Sequence, residues 1–210
     1  MYLKHGKIKS KRQCRYVRPI AMGLLSEEQK EAALKKLNEM CIANQYRIGT
    51  GFLTTYQILS VLSEGGYIDT AYRMLENTKQ PGWLFAVTKG ATTVWENWYG
   101  INEKGEPVDS HNHYAPGAVV AWLFSHCAGI TPLKPGFEEV RIRPMPGGSL
   151  LYARAEYESI RGTIISDWKI ENGNFILSVV VPKEVTAEIC MPNGEVRYVE
   201  EGTHKFSCML

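Results

Sequence analysis

The residue types that could do chemistry gather in Thr92-Thr93-Val94-Trp95-Glu96-Asn97-Trp98 and, a little further on, Ser110-His111-Asn112-His113-Tyr114. The first stretch sets one carboxylate, Glu96, between two indoles, and the second adds imidazoles. A carboxylate flanked by large aromatic rings sits where desolvation can tune its proton affinity. Flat apolar rings with polar groups between them suit a sugar, which has C–H faces and hydroxyl edges. The same spacing also fits two core indoles and a solvated loop glutamate, since carboxylates near aromatics occur in structural networks too. His111 and His113 could be read as a metal pair, but no third ligand accompanies them and zinc sites want three or four. No metal or cofactor is expected.

Such a loop needs a scaffold, and the chain before about residue 135 reads as helical. Ser26-Glu27-Glu28-Gln29 has the form of a capping box, and Ala33, Leu37, Met40 and Cys41 then make one apolar helical stripe. A helix is predicted over about 54–63, closed by Gly65-Gly66, and another follows with Ile68, Ala71, Tyr72 and Leu75 on one face. A further helix is predicted over about 115–127, with Ala118, Val119, Trp122 and Leu123 buried and Gly129 and Pro132 marking its end. An earlier one is predicted over about 11–22, kinked or shortened by Pro19. Residues 45–53 and 82–114 are expected as long loops, and long irregular loops on a helical frame tend to carry function.

From about residue 136 the pattern alternates. Strands are predicted near 138–143, 151–157, 162–170, 174–181, 187–191 and 196–200, with turns at Gly147-Gly148, Glu171-Asn172-Gly173 and Pro192-Asn193-Gly194. Short strands punctuated in this way predict an antiparallel sandwich. Helices followed by strands imply two domains, 1–135 and 136–210, rather than an alternating parallel sheet.

Bulk properties agree with a folded chain. At 210 residues, 44% hydrophobic and 22% charged, it has the composition of one large domain or two small ones. A net charge of +2 gives no ground for nucleic-acid binding. Lys4, Lys7, Lys9, Lys11, Arg12, Arg15 and Arg18 do crowd the start, which fits either a phosphate-binding arm or a solvated helix face. The five cysteines, Cys14, Cys41, Cys127, Cys190 and Cys208, are odd in number and lack CxxC spacing, so a reducing compartment fits better than a disulfide framework. No apolar run of roughly 7–15 residues opens the chain and no stretch of about 18 crosses a membrane, so a cytoplasmic location is the expectation.

Taken jointly, several motifs resemble the C-terminal part of bacterial α-L-rhamnosidases, glycoside hydrolase family 78. They are Gly49-Thr50-Gly51-Phe52-Leu53, Gly90 to Glu96, Asn112-His113-Tyr114-Ala115 with Gly117-Ala118-Val119, Ala128-Gly129-Ile130, Pro135-Gly136-Phe137, Ile142-Arg143-Pro144, and the stretch from Tyr152 to Gly162 with Trp168. The resemblance implies an (α/α)6 toroid followed by a β-sandwich. With about five helices predicted where a toroid takes about twelve, it also implies that only the last part of the toroid is here, with inner helix faces left uncovered. It further implies an inverting glycosidase that removes terminal α-L-rhamnose from a glycoside or polysaccharide, with Glu96 as general base. His113 matches a residue that contacts the sugar, and Trp95 and Trp98 are candidate sugar walls. The position after the base is commonly arginine in the family and is Asn97 here. The family's general acid lies upstream of any residue in this sequence, so the partner required would be the missing N-terminal half. The alternative is a carbohydrate-binding or partner-binding remnant without catalysis.

Overall fold

The capping box read at Ser26 is formed in the computed structural model, which describes residues 3, 4 and 7–210, with side chains from residue 8 onward. The Ser26 hydroxyl accepts from the Gln29 N–H at 3.3 Å and the Gln29 side chain accepts from the Ser26 N–H at 3.2 Å. Of the basic residues at the start, the Lys4 and Lys7 side chains lie outside the described residues.

Two compact units follow one another, Met1–Val119 and Val120–Leu210. The first opens with a short antiparallel pair, β1 (Leu3–Lys4) and β2 (Lys7–Ile8), and continues as α1 (Cys14–Ala21), α2 (Glu27–Ala43), α3 (Phe52–Glu64) and α4 (Ile68–Leu75). Its core is where the apolar stripes meet: Leu37 and Cys41 of α2, Ile58, Leu59 and Leu62 of α3, and Ala71, Tyr72 and Met74 of α4 are sealed from solvent. Burial without a charged partner pushes the Cys41 thiol up to about 12. Gln13, at the start of α1, is buried because it is fully used: its side-chain carbonyl accepts from the Gly49 N–H at 2.6 Å and its amide donates to the Arg47 carbonyl at 3.3 Å.

Two helical expectations change. The stretch 82–114, read as one loop, contains α5 (Trp83–Thr88). Its six residues, Trp-Leu-Phe-Ala-Val-Thr, lack a side-chain cap and are rich in aromatic and β-branched types, which hides a helix from propensity reasoning. The helix expected over 115–127 is instead broken into α6 (Tyr114–Gly117), α7 (Val119–Trp122) and a π-helical turn over Leu123–Cys127. Pro116 and Gly117 are both poor interior residues, and the Ala128 N–H reaches back to the Leu123 carbonyl at 2.8 Å, the wider span of a π turn.

The second unit holds two four-stranded sheets. One has the order β10-β7-β6-β5, from Gly202–Met209, Asn174–Val181, Gly162–Glu171 and Tyr152–Ser159. The other has the order β3-β4-β8-β9, from Ile130–Pro132, Glu139–Ile142, Thr186–Cys190 and Val196–Val199. β3 and β10 were not read from the sequence, because Ile-Thr-Pro is short and Gly-Thr-His-Lys-Phe-Ser-Cys-Met has no apolar face. Pairing is antiparallel except between β4 and β8, which run parallel with Val140 opposite Ala187 and Ile142 opposite Ile189. The first sheet's strands β5, β6 and β7 come between them in the chain, so no hairpin turn dictates their direction. Trp168, Phe175, Leu177, Ile142 and Ile164 are fully buried, and the Trp168 indole donates to the Cys127 carbonyl at 2.8 Å. Gly129 has φ +85°, and a Cβ there would stand 2.2 Å from the Pro144 nitrogen, so only glycine fits between the π turn and β3.

Candidate active site

Glu96 and His113 come together because the segment between α5 and α6 folds back on itself. The Glu96 N–H donates to the Ser110 carbonyl at 2.9 Å, and the His113 N–H donates to the Val94 carbonyl at 2.9 Å. The Thr93 hydroxyl donates to the His111 carbonyl between them. Farther out, the Val108 N–H donates to the Gly100 carbonyl at 2.9 Å and Ile101 pairs with Pro107. The result is two facing arms that present the side chains of Glu96 and His113 next to each other.

The orientation of each is held. His113 is the N-cap of α6, and its Nδ1 accepts from the Ala115 N–H at 3.2 Å. In the neutral ring that bond leaves the proton on Nε2, which faces the Glu96 carboxylate at 4.0 Å. The Phe52 ring at the start of α3 stacks on the imidazole with centroids 4.8 Å apart. The other carboxylate oxygen of Glu96 accepts from the Ser110 N–H at 3.3 Å. Glu96 and His113 side chains are half-buried, 31% and 25% exposed, so the carboxylate is neither sealed in a core nor free in solvent.

The two tryptophans part company. Trp95 is buried, stacked on His111 at 4.6 Å, with Gly100 packed so closely that a Cβ there would meet the indole at 2.5 Å. His111 completes the clamp by donating from Nε2 to the Gly100 carbonyl at 2.5 Å. Trp98 instead lines a cavity of about 290 Å3 together with Thr50, Phe52, Glu96, Asn97 and Asp109. Its ring stands edge-on to Trp83 at 5.7 Å, and Trp83 is fixed in turn by donating to the Pro116 carbonyl at 2.9 Å. Phe52 and Asp109 were not singled out by spacing. Asp109 shares the Glu96 loop, and a polar residue opposite Glu96 in a doubled-back loop is the signal that could have found it.

Chemically, this is a carboxylate with both oxygens oriented, an aromatic wall on one side, and room for a small molecule in front. Among the described residues no group of three or more His, Cys, Asp or Glu side chains is placed to hold a metal ion. No helix of the described residues is long and apolar enough to cross a membrane.

A family model described as the bacterial alpha-L-rhamnosidase 6 hairpin glycosidase domain matches residues 1–127, and one described as the bacterial alpha-L-rhamnosidase C-terminal domain matches residues 129–206. The chain belongs to the bacterial α-L-rhamnosidase family. An α-L-rhamnosidase of Streptomyces avermitilis is 38% identical over 191 residues, covering 89% of the chain and 18% of that protein. One from Formosa agariphila is 37% identical over 212 residues, covering 98% of the chain and 23% of that protein. Among solved structures, the Streptomyces avermitilis α-L-rhamnosidase complexed with L-rhamnose superposes with a TM-score of 0.93 at 34% identity, over 99% of this chain and 22% of that one. The Aspergillus terreus enzyme gives 0.94 at 32% identity, over 99% and 25%. The chain thus spans about a quarter or less of the rhamnosidases it matches. The expected architecture, part of a helical toroid and then a β-sandwich, agrees with this family and with the observed order of helices and sheets.

Proposed function

We propose that the chain carries the general-base side of an inverting α-L-rhamnosidase that removes terminal α-L-rhamnose from glycosides or polysaccharides. The observation that carries this reading is the Glu96 carboxylate, oriented by the Ser110 N–H and faced by His113 Nε2, at the wall of a cavity lined by Trp98 and Phe52. In inversion one carboxylate takes a proton from the attacking water while an acid on the opposite face, ~6.5–9.5 Å away, protonates the leaving oxygen. Glu96 takes the water proton. His113 presents its Nε2–H to a sugar hydroxyl and steadies Glu96. Trp98 offers its face to the sugar ring, while Trp95 acts from beneath by holding the loop.

The acid, with the carboxylates that hold the sugar, belongs to the missing N-terminal half of the toroid, so the chain by itself does not turn over. Exposed apolar side chains support the need for that partner: Phe52, Leu53 and Tyr56 on α3 and Tyr114 on α6 all stand in solvent, Tyr114 at 83%.

The test is hydrolysis of an aryl α-L-rhamnoside. The chain alone is expected to give no turnover, and the chain combined with the upstream toroid helices of a relative is expected to restore it. Glu96→Gln in that combination should lower the rate by about 10²-fold or more. Equal rates with and without the Glu96 carboxylate would overturn the assignment.

A further inference from the structure

The cavity in front of Glu96 holds a second carboxylate, Asp109. Its backbone lies at φ +60°, a conformation that few non-glycine residues adopt and that persists where the surroundings impose it. One oxygen, Oδ2, accepts from the Asn97 side-chain amide at 3.0 Å. The Asn97 carbonyl in turn accepts from the Tyr99 N–H at 2.9 Å, which fixes which end of that amide faces Asp109. Asn97 therefore steers Asp109 and leaves its Oδ1 with accepting capacity.

Thr50 adds to the same character. The Thr55 hydroxyl donates to the Gly51 carbonyl at 3.0 Å, so the proton in the 3.0 Å contact between the Thr50 and Thr55 hydroxyls comes from Thr50. The lone pairs of Thr50 remain. The polar atoms around the cavity are thus mostly acceptors: two carboxylates and a hydroxyl whose hydrogen is spent. Among the described residues that line it none is lysine or arginine. A lining of this kind matches a ligand that donates through hydroxyls and carries no negative charge. A carboxylated or sulfated sugar would set like charges against Glu96 and Asp109.

We infer that Asp109, steered by Asn97, is a specificity-determining residue: it accepts a hydrogen bond from a hydroxyl of a neutral sugar and repels acidic ones. The inference rests on the sugar-site reading given above and adds a residue and a selectivity to it.

The variant that isolates this role is Asp109→Asn, because asparagine also tolerates positive φ and keeps the turn while removing the charge. The intact chain is titrated with methyl α-L-rhamnoside and with methyl glucuronoside, with binding read by saturation-transfer NMR and tryptophan fluorescence. Wild type is expected to bind the neutral glycoside at least about tenfold more tightly than the acidic one. Asp109→Asn is expected to weaken the neutral glycoside by about tenfold and bring the preference toward unity. Asn97→Ala should shift both readouts in the same direction by less. Unchanged affinity and unchanged preference in Asp109→Asn would overturn the role of Asp109 and leave the sugar site standing. Failure of wild type to bind either glycoside would overturn the sugar site, and the Asp109 inference with it.

Discussion

Two indoles buried by different means show how the two units are built. In the β unit, Trp168 lies on a strand, fully buried against Phe175 with ring centroids 5.6 Å apart, and regular ladders on both sides hold its backbone. In the helical unit, Trp95 lies in an irregular segment and is held by one stacked imidazole, one close glycine and a few loop hydrogen bonds. The polar pairs follow the same division. Arg141 and Glu188 meet across adjacent strands at 2.5 Å, in register by the ladder itself. Glu96 and His113 meet at 4.0 Å only because a loop doubles back. Regular pairing makes a stable body, whereas a loop stapled by a handful of contacts can present side chains in a cavity at the cost of local stability.

The strongest way to break this contrast is to remove each indole's support. Trp168→Ala should destabilise the β unit by about 3–5 kcal/mol, read from hydrogen exchange at the β6 and β7 amides. A loss near zero there would mean that the ladders, not the core, set its stability. His111→Ala should act more locally. It removes the stacked ring and the bond to Gly100, so opening of the loop should become easier by about 1–3 kcal/mol, read at the Glu96 and His113 amides. Unchanged protection of those two amides would show that backbone pairing alone holds the loop.

The smallest effect is a pH arm in the β unit. The Arg141 guanidinium bonded to Glu188 holds its carboxyl below the usual carboxylate range, with the Cys190 thiol and the Tyr198 hydroxyl assisting. A depressed folded-state value contributes stability above the ordinary value of 4.5, and that contribution is lost as pH falls below it. Acid titration should therefore weaken the β unit below about 4.5, and Glu188→Gln should flatten that arm. Identical acid profiles for the two proteins would remove the pair from the comparison.

Much of the architecture was legible because its signals are local. A capping box spans four residues, an apolar stripe repeats within a turn or two, and an Asn-Gly pair makes a hairpin turn wherever it stands. From such pieces came α2, α3, α4, most strands of the second unit and the order of helices before strands. Short helices without caps and strands without an apolar face carry no such signal, which is why α5 and β10 surfaced only in three dimensions. The grouping of chemistry around Glu96 is of another kind. Which indole faces the cavity, that His113 turns Nε2 toward the carboxylate, and that Asp109 and Phe52 border the same space all depend on pairings between distant residues. Nothing in the periodicity around Glu96 encodes the bond to Ser110, the stack of Trp95 on His111 or the parallel alignment of β4 with β8. Local sequence determined which elements form, since caps, turns and stripes act within a few residues. Tertiary structure decided what those elements present to one another, because the energy of each such contact exists only once both partners have been brought together.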